Sequence, residues 1–274
     1  MNKELVTQNR RKRGFSLLEL TIVLTIVGIL LYATVAVGLT QIEIAKVKAT
    51  QDKLDKINNA ITLFLKTNGY LPCPAATNGN GTVSETGGST TCAATGILRD
   101  AGSNVWIGVL PSRALNLSDD YMYDSWGNRI TYVVSKYCVA STNWNTAYPS
   151  TNTHACAQTG PPPIGTNGNT ITIRDTGGTP WPNLVAYVAI SHGKNGYGAW
   201  NRAGTKVTGT ATVTDYVLEK TNGNLTTAGA ATCTTACSTS YNDATFNDGT
   251  ILPAYFDDIV RWRTALQLNY DANH

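Results

Sequence analysis

The stretch RRKRGFSLLELTIVLTIVGILL, Arg10–Leu31, decides how this chain is read. Four basic residues run into Gly14, and an almost wholly apolar segment follows from Phe15 to Val37. It is interrupted by Ser16, Glu19, Thr21, Thr25, Gly28 and Thr34. Roughly 20 apolar residues suffice for a spanning helix. The basic cluster before them should stay cytoplasmic and direct the remainder outward. Glu19 is the anomaly, because a carboxylate at membrane depth costs at least ~2.5–3.5 kcal/mol.

Three readings compete. An ordinary secretory signal peptide fits the basic start and apolar core, with Ala36-Val37-Gly38 as a passable cleavage site. It leaves Glu19 unexplained, and with it the helical pattern beyond the site. A plain membrane anchor accounts for length and orientation and again leaves Glu19 alone. Cleavage after Gly14 would instead remove the basic leader and create a positive amine on Phe15. Glu19 would then lie about one helical turn from it.

The Gly14-Phe15 junction followed by Ser-Leu-Leu-Glu-Leu-Thr resembles the processing signal of type IV pilins and type II secretion pseudopilins. The resemblance implies cleavage after Gly14 by a prepilin peptidase and N-methylation of Phe15. It also implies assembly with other pilin or pseudopilin subunits, from the inner membrane and its assembly platform. Glu19 would pair with the Phe15 amine of a neighbouring subunit. Two opposite buried charges offset part of each other's desolvation, whereas either alone is expensive. The chain departs from the family in lacking a proline near Ala36, where many members melt the helix. Gly28 and Gly38 are the local alternatives.

The totals fit an exported protein. The 274 residues carry +3, but residues 1–14 hold five cations against one acid, so the remainder carries −1. The basic balance belongs to the leader, and no nucleic-acid partner follows from it. Charged residues make up 14% of the chain, below the ~25% of average soluble proteins. All six cysteines (Cys73, Cys92, Cys138, Cys156, Cys233 and Cys237) follow the apolar segment, which suits disulfides in an oxidising compartment. Fifteen pairings are possible for six cysteines. Nearest neighbours are expected, each closing a loop rich in Thr, Asn or Gly. A zinc site is the competitor, poorly served by the Cys233–Cys237 spacing with no histidine close by.

After Gly38 the pattern turns amphipathic. Val47, Leu54, Ile57, Ile61 and Phe64 recur at helical spacings, with charged residues between them and an Asp52–Lys56 pair four apart. The helix is expected to run over 15–68, with its first part, about 15–37, in the membrane, and to stop at Asn68-Gly69. Residues 1–14 are the leader and 69–274 a β-rich head outside the cytoplasm. Strands are expected over Asn104–Val109, Arg129–Ser135, Thr170–Arg174, Leu184–Ser191, Lys206–Leu218 and Asp257–Trp262. Leu184–Ile190, the most apolar, is expected as the central strand against the helix. The fold class is therefore α+β and pilin-like. A long helix packs on an antiparallel sheet whose long loops disulfides close.

Three further stretches resemble pseudopilins and minor pilins: Tyr70-Leu-Pro-Cys-Pro74, Asp124-Ser-Trp-Gly-Asn128 and Ser191-His-Gly-Lys-Asn-Gly196. Each also reads as a plain turn, with Trp126 free to anchor its turn in the core. Phe256–Trp262 resembles the last strand of some minor pilins, and Asp257 and Asp258 are weak calcium candidates by that resemblance. Adjacent strand residues point to opposite faces, which argues against a shared ion. Trp144, Tyr148, Trp181, Tyr197 and Trp200 are core plugs or a binding surface.

No Gly-x-Ser-x-Gly elbow or phosphate loop is present, and His154, His192 and His274 are isolated. A structural subunit needing no cofactor is expected rather than an enzyme. A secretion pseudopilin is one form, toward which the resemblance of the Asp124–Asn128 turn leans. A minor pilin for adhesion or DNA uptake is another, favoured by the large disulfide-bearing head. A secreted periplasmic enzyme or binding protein is the outside alternative.

Overall fold

The computed structural model describes residues 16–77, 92, 98–99, 105–139, 156, 171–174, 185–208, 222–223, 240–242 and 257–273. Of residues 33–40, 98–99 and 240–242 the backbone alone is described. The chain divides into two compact units, Met1–Ala45 and Lys46–His274. The boundary falls inside the first helix, α1 (Leu17–Asn68), and not at its end.

Over 17–32 α1 exposes apolar side chains on every side, with Glu19, Thr21 and Thr25 among them. Leu17, Leu18, Leu24, Ile29 and Leu31 are all more than half exposed. The Thr21 and Thr25 hydroxyls donate back to the carbonyls of Leu18 and Thr21 at 2.9 and 2.8 Å, so they need no external partner. Among the described residues no helix is both long and apolar enough to cross a membrane.

In the second unit α1 ends in a left-handed cap. Gly69 has φ +75° and donates its N–H to the Leu65 carbonyl at 2.7 Å. The buried stripe of this half is Leu54, Ile57, Ile61 and Leu65. Val47 is 37% exposed and Phe64 only half-buried, so the stripe starts later than the spacing suggested and closes on Leu65. No Asp52–Lys56 pair forms among the described residues. Lys53 instead pairs with Asp120 at 2.8 Å, and Asp55 with Arg261 at 2.9 Å.

The sheet contains β1 (Leu98–Arg99), β2 (Val105–Val109), β3 (Thr131–Ser135), β5 (Val185–Ser191) and β7 (Ile259–Thr264), in the order β1-β2-β3-β5-β7, all antiparallel. Two short strands, β4 (Thr172–Arg174) and β6 (Ser240–Asn242), pair in parallel as a separate ribbon. The middle place belongs to β3, and β5 lies between β3 and β7. Strand alternation splits the core in two. Trp106, Tyr132, Val134, Tyr187 and Ala189 join the α1 stripe on one face. Ile107, Val133, Val188 and Ile190 face the other way and pack with Ile171, Ile173 and Trp200. The sheet is thus covered on both faces, and the strands read as continuous apolar runs.

Other expectations need correction. Lys206 makes one isolated bridge to Trp200, and Val207 and Thr208 do not continue it as strand; residues 209–218 lie outside those described. The last strand runs on to Thr264, and a second helix, α2 (Ala265–Asn273), follows it. Thr264 Oγ1 accepts the Gln267 N–H and Gln267 Oε1 accepts the Thr264 N–H, both at 3.1 Å, a reciprocal capping box.

Cys73 bonds Cys92 and Cys138 bonds Cys156, across 19 and 18 residues. All four sulfurs are buried in the α1-side core. Cys233 and Cys237 lie outside the described residues. Each described bridge closes a loop worth about 3 kcal/mol of chain entropy. A Cys73→Ser/Cys92→Ser variant should therefore melt roughly 6–12 °C lower in calorimetry. A shift under about 2 °C would mean that the unfolded chain gains little from release of that loop.

Candidate functional sites

At the start of α1 the structure supplies a local partner for Glu19. The Ser16 N–H donates to Glu19 Oε2 at 3.0 Å, and the Leu18 N–H donates to Ser16 Oγ at 3.4 Å. Ser16-x-x-Glu19 is therefore a capping box. Its carboxylate sits where the helix dipole is positive. The Ser-x-x-Glu spacing is the local signal for this contact. Gly14 and Phe15 lie outside the described residues.

The second site is a buried polar junction in the head, built from five separated segments. Asp124 opens the Asp-Ser-Trp-Gly-Asn turn. Its Oδ1 accepts the N–H groups of Trp126 and Asn128 at 3.0 and 2.9 Å, and its Oδ2 accepts the Ser191 hydroxyl at 2.8 Å. Ser125 exchanges hydrogen bonds with the buried Thr50 of α1: the Thr50 hydroxyl donates to Ser125 Oγ at 2.9 Å and accepts the Ser125 N–H at 3.2 Å. Asn128 Nδ2 donates to the Gly193 carbonyl at 3.1 Å. Trp126 is half-buried against the α1-side core. The turn is thus spent on the head's own interior.

His192, wholly buried, lies one residue on from Ser191. Its Nε2 is 2.9 Å from Thr131 Oγ1, and its Nδ1 is 3.5 Å from Asp258 Oδ1. Asp258 Oδ2 accepts from Asn222 Nδ2 at 2.8 Å. Hydroxyl, imidazole and carboxylate stand in the order of a hydrolase triad. Yet Thr131, His192 and Asp258 are 1%, 0% and 4% exposed, so a substrate carbonyl has no approach to the Thr131 hydroxyl. The row ties β3, β5, the start of β7 and Asn222 together. Gly198 completes the junction, packing against the backbone of Gly223.

Asp257 and Asp258 do not share a ligand position. Asp257 Oδ2 accepts the Asn195 N–H at 3.0 Å, whereas Asp258 turns to Asn222 and His192. Among the described residues no group of three metal-binding side chains is found. Tyr197 and Trp200 are core residues, 7% and 3% exposed; Trp144, Tyr148 and Trp181 lie outside the described residues.

Burial pushes the Asp124 carboxyl above the ordinary carboxylate range, against the downward pull of the Ser191 hydroxyl, the two backbone N–H groups and His192. A carboxyl raised on folding stabilises most below its unfolded pKa, and loses that contribution as pH rises through the folded value. Asp124→Asn keeps one acceptor oxygen for the Trp126 and Asn128 N–H groups, puts an amide donor against Ser191 Oγ in place of Oδ2, and discards the charge. It should unfold within about 1 kcal/mol of the native chain at pH 7 and fall behind it toward pH 4. Asp124→Ala strands three donors and should cost about 3–5 kcal/mol at pH 7, with the deficit widening toward pH 4 as for Asn. Denaturant midpoints at both pH values decide. An Asn variant equally destabilised at pH 7 and pH 4 would contradict the burial argument.

One family model matches the chain: the prokaryotic N-terminal methylation motif, over residues 9–33. No curated protein and no solved structure matches. The matched segment contains Gly14, Phe15 and the Ser16–Glu19 box. The chain therefore carries a prepilin-type signal, that of type IV pilins and pseudopilins, ahead of an α+β body. That signal, over residues 9–33, supports a pilin- or pseudopilin-like subunit.

Proposed function

We propose that the chain is a subunit of a type IV pilus-like or type II secretion filament. A prepilin peptidase cleaves it after Gly14 and methylates Phe15. The apolar segment over 15–37 holds it in the inner membrane with its head in the periplasm. An assembly platform then adds it to the filament, where Glu19 meets the Phe15 amine of a neighbour. The carrying observation is a methylation motif that leads into a helix exposing apolar side chains on all sides over 17–32. Such a surface needs lipid or other helices around it. The capping box supports the pairing indirectly, because it holds the Glu19 carboxylate beside Ser16, one residue from the proposed new amine.

A minor rather than a main subunit is the reading that the large head with its disulfides supports. The Asp124–Asn128 turn no longer weighs toward either filament type, since its polar groups are used inside the head.

A photo-crosslinking side chain at Leu24, in cells that assemble such filaments, tests the proposal. Adducts with other pilin-like subunits are expected, and they should vanish with Gly14→Val, which blocks the cut. Lipid adducts alone would refute filament membership.

A further inference from the structure

We propose that Thr50 and Asn58 of α1 form a register lock, which selects one axial position of the helix on the head's sheet. Asn58 is 5% exposed, and its Oδ1 accepts the hydroxyl of the fully buried Tyr187 at 2.6 Å. Thr50, also buried, is bonded to Ser125. These two contacts lie two helical turns apart on the face that carries Leu54, Ile57, Ile61 and Leu65.

That apolar stripe discriminates only in part between axial positions. A three-residue slide sets Ile57 where Leu54 was and Phe64 where Ile61 was. A four-residue slide sets Ile61 in the place of Ile57 and Leu65 in the place of Ile61. In both slides part of the stripe still meets apolar partners at little cost, but the first puts Ala60 in the place of Ile57 and Asn68 in that of Leu65, and the second puts Gly69 in that of Leu65. The polar positions do not tolerate either slide. The three-residue slide brings Lys53 to Ser125 and Ile61 to the Tyr187 hydroxyl. The four-residue slide brings Leu54 to Ser125 and drops Asn58 into the pocket of Leu54. Each strands buried polar groups, and that penalty exceeds the small net gain from making the bonds. The exposed pairs Lys53–Asp120 and Asp55–Arg261 point to the same register but count for less, because solvent screens them. A polar pair that specifies register while adding little stability is the best-attested use of a buried polar contact.

The lock is independent of which filament the chain joins, or whether it joins one. The test uses the full-length chain in detergent micelles, as Asn58→Leu/Tyr187→Phe, which removes donor and acceptor together. The urea midpoint should move by less than about a tenth. Amide resonances of Leu54, Ile57, Val188 and Ala189 should split or broaden as more than one register becomes populated. If the double variant does not fold, Thr50→Val/Ser125→Ala gives the same readout at the other contact. One sharp set of resonances in the variant that combines all four substitutions, which removes both contacts, overturns the proposal. With an unchanged midpoint it would mean that apolar packing alone sets the register; with a lowered one, that the contacts are ordinary stabilising bonds.

Discussion

Glu19→Leu will remove the chain from filaments while leaving its head folded. In the proposed assembly, loss of the carboxylate leaves a buried amine with no counter-charge. Breaking such a pair from one side costs about 3–5 kcal/mol, which corresponds to roughly 100-fold or more in incorporation. Leucine also destroys the Ser16–Glu19 box, so Leu alone does not separate pairing from capping. Glu19→Gln does. Glutamine still offers a carbonyl oxygen to the Ser16 N–H and is an accepted residue at that place of a capping box. Cap loss by itself is worth only about 1 kcal/mol. If charge pairing governs assembly, Gln should fail nearly as badly as Leu; if capping suffices, Gln should assemble almost normally. Sheared-filament yield, read beside the circular dichroism of the extracted protein, distinguishes the two.

The second large effect is confined to the head. Gly198→Ala should cost about 2–5 kcal/mol, a sizeable share of the ~5–15 kcal/mol that holds a domain together. Gly198 has φ +87°, where an L side chain is strained by about 1–2 kcal/mol. A Cβ there would also collide with the Gly223 backbone, which has no flexible end to withdraw, and overpacking adds about 1–3 kcal/mol. Gly127 is the control. It has nearly the same angle, φ +89°, but its nearest neighbour is the Arg202 side chain at 4.0 Å. Gly127→Ala should therefore show the strain alone, about 1–2 kcal/mol. Equal losses at the two positions, measured by chemical denaturation, would rule out the close Gly198–Gly223 approach as the cause.

What the sequence disclosed follows from how local each signal is. The strands β2, β3 and β5 were legible because each is a short apolar run bounded by turn residues. α1 was legible from its length and period. β1 and β6, two and three residues long, have too little sequence to carry a pattern. The β4–β6 pairing is non-local, joining Thr172 to Ser240. The start of α2 was missed because the Thr264-x-x-Gln267 spacing was not sought. The Ser16-x-x-Glu19 spacing is a local signal of the same kind, with the partner three residues away. At the polar junction Asp124, Ser191, His192 and Asp258 each stood in a stretch singled out in advance. Their convergence could not be read, because Thr131, His192, Asn222 and Asp258 meet only through the folded sheet. Nothing local marks Asn222 as a partner for Asp258.

If the inserted chain is cut after Gly14, its mature form starts at a charged, methylated Phe15. Mass spectrometry of the N-terminal peptide, from protein taken out of its native envelope, tests this directly. The account predicts a chain that begins at N-methyl-Phe15. A mature chain that begins near Leu39, as an ordinary signal peptidase would leave it, would contradict it.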